Sequence, residues 1–515
     1  MCYYKIISKE EKVGNKVMLY TSTRGQTEMV CSAHAIARGL AGDGGLFVPQ
    51  KFETIPLTEI LAMGDLPYAE KAVQILKCFL TDYSEEELLA CTTVAYGHNK
   101  FGAEVVPLHP LKDDIAILEL WHGPTSAFKD LALQLLPQLL TKAIAKTGER
   151  NKIIILVATS GDTGKAALEG FADVEGTEII VFYPEAGVSE IQKRQMTTQR
   201  GDNVAVVAVD GNFDDAQTGV KEIFGDEELA TQLKDKGFVF SSANSINWGR
   251  LVPQIVYYFS AYADAVKTGK IKAGDEINFA VPTGNFGDIL AGYYAKTMGL
   301  PVHKLICASN ANNVLADFLS TGKYDKRRTF HKTISPSMDI LVSSNLERLL
   351  YQITEEDSVQ VAQWMSELNE TGVYNVGNTV LSKIKKTFYG TWVDEIETKE
   401  TIANVFRNYN YLLDPHTAVA WRACDKYRLI TSDNRYCVVL STASPYKFNT
   451  AVLEALQPDT DYSSYDAFSA LHLLEEMTGL PVPEQMLQLA KLPIKHKETI
   501  EKFEMEEVVR SKLKL

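Results

Sequence analysis

Lys129 is the residue of this chain whose type and setting offer the most chemistry. It lies in Trp121–Asp130, WHGPTSAFKD, directly after a strand-like run, with Phe128 before it and the apolar LALQLLPQLL after Asp130. Desolvation or nearby positive charge favours the neutral amine of a lysine, which is then a nucleophile able to form a Schiff base with an aldehyde. A solvated side chain at a helix start is the ordinary alternative, and Lys129 alone does not decide between the two. Two further segments bear on it, TSGDTGKAA at 159–167 and VPTGNFGD at 281–288. Each is a glycine-punctuated loop between an apolar run and a helix-like one, so the three together read as a cofactor pocket.

In TGNFGD, Gly284 and Gly287 lack Cβ atoms, which lets the backbone approach a phosphate, and a helix from Asp288 or Ile289 onward would present its N-terminal amides. An ordinary strand-to-helix turn also uses Gly and Asn, so this loop is weak evidence by itself. SGDTG at 160–164 has the same logic, with hydroxyls on Ser160 and Thr163 and a helix behind them, and suits an anionic substrate group. It is not a nucleotide P-loop: two residues separate Gly161 from Gly164-Lys165, and Ala166 stands where Ser or Thr is required. The chain has no GxGxxG fingerprint either, so readings built on ATP or NAD lose their support.

The elements that must position these loops follow an alternating pattern. KIIILVAT (152–159), EIIVFY (178–183) and VAVVAV (204–209) are apolar runs, each followed by a helix-like stretch; INFAVP (277–282) and YCVVLST (436–442) continue the pattern. Such alternation predicts βαβ units on a parallel sheet, an α/β fold. Residues 50–95 show helical spacing and few strand signals, which predicts a largely helical N-terminal portion over 1–100. Smaller and larger α/β domains are expected at 101–245 and 246–515, with 312–405, where the alternation breaks, as an insertion in the larger one.

At 515 residues the chain has length for roughly two or three domains. Hydrophobic residues at 45% and charged residues at 23% match a folded globular protein. With 52 Lys plus Arg against 66 Asp plus Glu, the net charge of −14 disfavours nucleic acid and anionic membranes as partners. Seven scattered cysteines, without a CxxC pair, fit neither a disulfide framework nor a zinc site, and no metal is expected. MCYYKIISKEEKVGNK at the N-terminus has no long apolar stretch and nothing later approaches a membrane span, so the expected location is the cytoplasm.

HGPTSAFKD, ATSGDTGKAA, SINWGR, PTGNFGD and STASPYKF, in this order, resemble the threonine synthase family, fold type II pyridoxal phosphate enzymes with the architecture of the tryptophan synthase β-subunit. The likeness runs from about Tyr20 to near the C-terminus and includes DGGLFVP (43–49) and SPSMDILVSSNLER (335–348); length and insertion are similar to the longer branch found in fungi and many bacteria. The resemblance implies pyridoxal 5'-phosphate as cofactor, bound covalently by Lys129. It places Gly284, Asn285, Phe286 and Asp288 at the cofactor phosphate and Thr442 at the pyridine nitrogen, with adjacent Ser441 as the alternative register. It places Ser160, Asp162, Thr163 and Gly164 at the substrate carboxylate. Asn247 and Arg250 are candidates for the substrate phosphate, since a guanidinium matches phosphate in a bidentate way; a surface ion pair is the other reading of Arg250. His122 and Trp121 read as packing residues.

The implied reaction converts O-phospho-L-homoserine and water to L-threonine and phosphate, the last step of threonine biosynthesis, in a monomer or homodimer. The nearest alternative is a phospho-lyase giving 2-oxobutyrate, ammonia and phosphate.

Overall fold

A computed structural model describes residues 17–185 and 188–515, so the first sixteen residues of the expected N-terminal portion, Cys2 among them, lie outside the described residues. Two larger sheets dominate. In the first, strands run in the order Phe388–Trp392, Val302–Ser309, Ile277–Pro282, Cys437–Ser441, Ile115–Glu119 and Leu108–Pro110. All neighbours are parallel except the last pair. The second is parallel throughout, in the order Thr499–Glu501, Val204–Asp210, Thr177–Pro184, Lys152–Ala158 and Phe238–Ser241.

The sequence explains why these strands are central. Ile277–Pro282 and Cys437–Ser441 are buried at every position, as is Lys152–Ala158 apart from its first residue. A strand covered by helices on both faces has no solvent side, so it reads as a continuous Val/Ile/Leu run instead of an alternating one. The helix Trp248–Lys267 is apolar nearly all round for the same reason: it runs through the interior, with Trp248, Tyr257, Tyr258 and Tyr262 fully buried.

Sheet membership departs from the expected boundaries. Leu108–Pro110 and Ile115–Glu119, expected with the smaller domain, pair into the larger sheet, and Thr499–Glu501, expected with the larger domain, closes the edge of the smaller one. An apolar strand encodes burial and does not encode which open edge it will join. The expected helical N-terminal portion does contain helices, Leu57–Ala62, Tyr68–Leu76 and Glu85–Ala95, but also a three-stranded antiparallel sheet of Leu19–Ser22, Val30–Cys31 and Phe47–Pro49. Those strands are two to four residues long, too short to give a period. Likewise 312–405 is no simple appendage, since its strand Phe388–Trp392 forms one edge of the larger sheet. Among the described residues no helix is long and apolar enough to cross a membrane.

Lys129, Thr442, the 284–287 loop and the 160–164 loop all follow the carboxyl ends of parallel strands, the place where open α/β sheets bind ligands.

Candidate active site

The loop that delivers Lys129 is locked by its own side chains. Asp130 is buried, and its carboxylate accepts from the Thr125 amide and the Thr125 hydroxyl, both at 2.8 Å. Burial pushes the Asp130 carboxyl up to about 6. A Cβ on Gly123 would stand 2.5 Å from that of Asp130, so only glycine lets the loop close over the carboxylate. The loop is also stitched to the end of strand Cys437–Ser441: the Phe128 amide donates to Thr442 O at 2.8 Å and the Ser444 amide to Ser126 O at 3.1 Å. Ser126 sits at φ 57 and is fully buried, a left-handed conformation that surrounding structure must hold in place.

Lys129 then emerges as the first residue of the helix Lys129–Leu133, 9% exposed, with Nζ 5.0 Å from the centre of the Phe128 ring. Its Nζ donates to Ser337 Oγ at 3.2 Å and lies 3.4 Å from Asp162 Oδ2. Burial pushes the ammonium below its ordinary range; Asp162 opposes this, while Lys447 and Arg250 add to it. A buried lysine with a weakened ammonium is the condition for a nucleophilic amine.

Asp162 opens the helix Asp162–Phe171 and collects donors from four side chains. Lys447 Nζ lies 2.6 Å from Oδ1, Gln192 Nε2 donates to Oδ1 at 2.9 Å, Ser337 Oγ donates to Oδ2 at 3.3 Å, and Lys129 completes the set. Burial acts to raise its carboxyl, yet Lys447 and Lys129 hold it well below the usual carboxylate range. The Asp162 side chain is therefore a counter-ion to lysines, whereas the resemblance had it at a substrate carboxylate, which it would repel. Ser160 and Thr163 remain partly exposed beside the helix N-terminus. Gly164 is there for packing: a Cβ would meet Thr159 Cγ2 at 2.3 Å. Gly161 adopts φ 135, where an added Cβ would strike Gln192.

The 284–287 loop meets the segment carrying Ser337, because a Cβ on Gly284 would lie 2.5 Å from Ser337 O. Asn285 is exposed, and its carbonyl accepts from the Asn345 amide and Nδ2, each at 3.1 Å. Phe286 takes φ 62 and buries its ring 5.6 Å from that of Phe388, so its contribution to the loop is backbone. Asp288 turns away: Tyr257 OH and Tyr258 OH donate to Oδ1 at 2.5 and 2.9 Å, and Oδ2 is buried without a partner. Burial pushes its carboxyl up to about 6, against the pull of the two tyrosines and Lys129.

Arg250 is buried, not a surface ion-pair residue. Nη1 donates to Ala243 O at 2.5 Å, Nε has no partner, and burial alone pushes its guanidinium down to about 10. Asn247, by contrast, is used up structurally: it caps the helix Trp248–Lys267 by accepting from Gly249 N at 2.8 Å, while Nδ2 donates to Ile36 O and Ser242 O. Of the two adjacent hydroxyls, Ser441 Oγ is engaged by Trp121 Nε1 at 3.0 Å and Thr417 Oγ1 at 3.1 Å. Thr442, the next residue, is buried, and alternation along an extended chain turns its side chain away from that of Ser441. His122 stacks on Trp121, with ring centres 4.4 Å apart, and bonds Glu119 at 2.6 Å.

Gln192, Ser337, Asp414, His416 and Lys447, all at the site, went unassigned in the sequence. Ser337 comes from the 312–405 segment. His416 Nε2 accepts from the Ser337 amide at 3.2 Å, while Nδ1 bonds Asp414 Oδ1 at 2.7 Å, which fixes the Nδ1–H tautomer. Lys447 also donates to Thr125 O at 2.9 Å, tying the Lys129 loop to Asp162. A lysine after Ser-Pro-Tyr within an apolar stretch, and Asp-Pro-His at a helix start, are the signals that pointed to them.

The buried cation lacking a carboxylate, the glycine-lined 284–287 loop and the weakened Lys129 ammonium fit a phosphorylated aldehyde: an anion for Arg250 or the loop amides, a carbonyl for the amine. Comparison with known proteins agrees. Residues 19–96 match the model for the threonine synthase N terminus, 102–442 that for pyridoxal-phosphate dependent enzymes, and 417–508 that for the threonine synthase C-terminal region. A threonine synthase of Pseudomonas aeruginosa is 43% identical over 442 residues, 85% of this chain and 90% of the relative. The crystal structure of threonine synthase from yeast superposes with a TM-score of 0.85 at 34% identity, covering 97% of this chain and 99% of that one. A threonine synthase from Brucella melitensis, solved with pyridoxal phosphate bound, gives 0.84 at 36% identity, over 97% of this chain and 100% of the other.

Proposed function

The chain belongs to the threonine synthase family of pyridoxal-phosphate dependent enzymes, and we propose from this premise how its residues convert O-phospho-L-homoserine and water to L-threonine and phosphate. The observation that carries the reading is Lys129, a buried amine held between Ser337 and Asp162 at the carboxyl ends of the strands. Pyridoxal phosphate, when bound to it, supplies the electron sink that stabilises negative charge next to the amino-bearing carbon of the substrate.

Lys129 Nζ would hold the cofactor, and its free amine would take a proton first from Cα and then from Cβ of the substrate. Its low preference for the ammonium form, set first by burial, keeps it ready for both tasks. Backbone amides of Gly284, Asn285, Phe286 and the helix that begins at Gly287 would hold the cofactor phosphate. Asp288 supports that loop through its tyrosine bonds. Thr442 would offer a hydroxyl to the pyridine nitrogen. Ser160, Thr163 and the N-terminus of the helix Asp162–Phe171 bind the substrate carboxylate, with Asp162 restraining Lys129. Arg250 is the cation for the substrate phosphate, and Asn247 serves by fixing the helix on which Arg250 stands.

The test is product identity. Supplied with O-phospho-L-homoserine, the purified protein releases threonine and phosphate in equal amounts, and dominance of 2-oxobutyrate would overturn the assignment. Lys129→Ala abolishes the visible absorbance of the lysine-bound cofactor; its persistence would mean that another lysine is the anchor.

A further inference from the structure

Two lysines share one carboxylate here, and the second has no role in the reaction as derived. Lys447 is fully buried, 2.6 Å from Asp162 Oδ1, while Lys129 stands 3.4 Å from Oδ2. The closer cation offsets much of the attraction that the carboxylate exerts on a charged Lys129. We propose that Lys447 is a positioning residue whose charge claims Asp162, so that Asp162 orients the Lys129 amine without holding it as an ammonium ion.

The geometry makes this an electrostatic necessity. A lone carboxylate buried beside a lysine favours its charged form strongly, since an opposite charge within hydrogen-bonding range moves a pKa by about 1–3. The Lys129 amine would then keep its proton and lose both nucleophilicity and basicity. With Lys447 in place the local sum is two cations and one anion, so one lysine is free to be neutral. The charged groups around Lys129 pull both ways, Asp162 and Asp288 toward the ammonium and Lys447 and Arg250 away from it. Arg250, on the helix Trp248–Lys267, adds positive charge; Asp288, at the start of the helix Gly287–Thr297, is an anion whose charged form burial disfavours; Ser337 and Gln192 contribute dipoles only. Lys447 is held for the task by Thr125 O, in the same loop that delivers Lys129, so the two amines keep a fixed relation to the carboxylate.

The inference rests on Lys129 being the reactive lysine, and its test is independent of cofactor and turnover. In cofactor-free protein, brief acetylation with acetic anhydride at a series of pH values, read by mass spectrometry of the Lys129 peptide, gives the pH midpoint at which Lys129 becomes neutral. Lys447→Met and Lys447→Gln, the latter keeping a donor for Thr125 O, raise that midpoint by about one pH unit or more. Lys447→Arg leaves it close to that of the parent, and Asp162→Asn, which removes the carboxylate, lowers it. Circular dichroism identifies which variants are folded. An unchanged midpoint in a folded, uncharged Lys447 variant, an equal rise in Lys447→Arg, or a rise in Asp162→Asn would overturn the proposal. Persistent cofactor absorbance in Lys129→Ala would instead overturn the reading of Lys129, which keeps the two failures apart.

Discussion

Arg250→Met has opposite effects on the empty and the liganded protein. Arg250 is buried, its Nε has no partner, and burial alone lowers its guanidinium from 12.5 to about 10. At about 1.4 kcal/mol per tenfold change in proton affinity, that fall corresponds to about 3 kcal/mol lost by the charged form through desolvation. Methionine fills similar space without charge, and the substitution forfeits the bond to Ala243 O, worth about 1 kcal/mol. The ligand-free variant is therefore more stable than the parent by about 1–2 kcal/mol, seen as a higher urea midpoint at unchanged slope. Phosphate binding goes the other way. Loss of a charge-assisted hydrogen bond of about 1.5–3 kcal/mol weakens a phosphorylated ligand about 10- to 100-fold. Calorimetric titration with O-phospho-L-homoserine and with homoserine separates the phosphate from the rest of the molecule, since only the former loses affinity. Parallel titration with pyridoxal phosphate tests the assignment to the substrate, because cofactor affinity holds if Arg250 serves the substrate phosphate. A variant that is less stable when empty and binds both phosphates as the parent does would refute the reasoning and make Arg250 a structural cation.

Gly164→Ala places a methyl 2.3 Å from Thr159 Cγ2 and costs about 1–3 kcal/mol; Gly164→Ala/Thr159→Ser removes the opposing methyl, keeps the hydroxyl that accepts from Gly161 and Gly164 amides, and recovers part of the loss in a urea melt, the rest persisting because Thr159 Cβ and Val181 Cγ1 each stand 2.9 Å from the added methyl. Asp288 titrates at 3.8 unfolded and about 6 folded, so the native state binds more protons between those values and loses stability as pH rises through the window. Asp288→Asn accordingly gains up to about 3 kcal/mol near pH 8, and the gain shrinks toward pH 4; an equal gain at both ends would show that the cause is not ionisation. His416→Ala frees the Ser337 amide and lets the hydroxyl beside Lys129 drift, lowering kcat about 10- to 100-fold with little change in KM; an unaltered kcat would remove His416 from the positioning chain.

The chain by itself determined its α/β class, the five apolar runs that became central strands, and the three loops that meet at Lys129. Each of these is a local property: a strand buried on both faces must be continuously apolar, and a loop that lets backbone approach a ligand must carry glycine. That is also why WHGPTSAFKD, SGDTG and GNFGD were recognisable, since their constraints act within ten residues. Only the tertiary structure decided which sheet Ile115–Glu119 and Thr499–Glu501 join, because edge pairing depends on what remains uncovered elsewhere in the fold. It decided that Asn247 is spent on a helix cap while Arg250, three residues on, is left with an unpaired donor. It brought Ser337 and Lys447 to Lys129 from 208 and 318 residues along the chain (337 − 129 and 447 − 129). Sequence spacing holds no record of such meetings, and the acid–base character of Lys129 arises from them: burial and the balance of neighbouring charges are sums over groups that only folding puts within a few ångströms of one another.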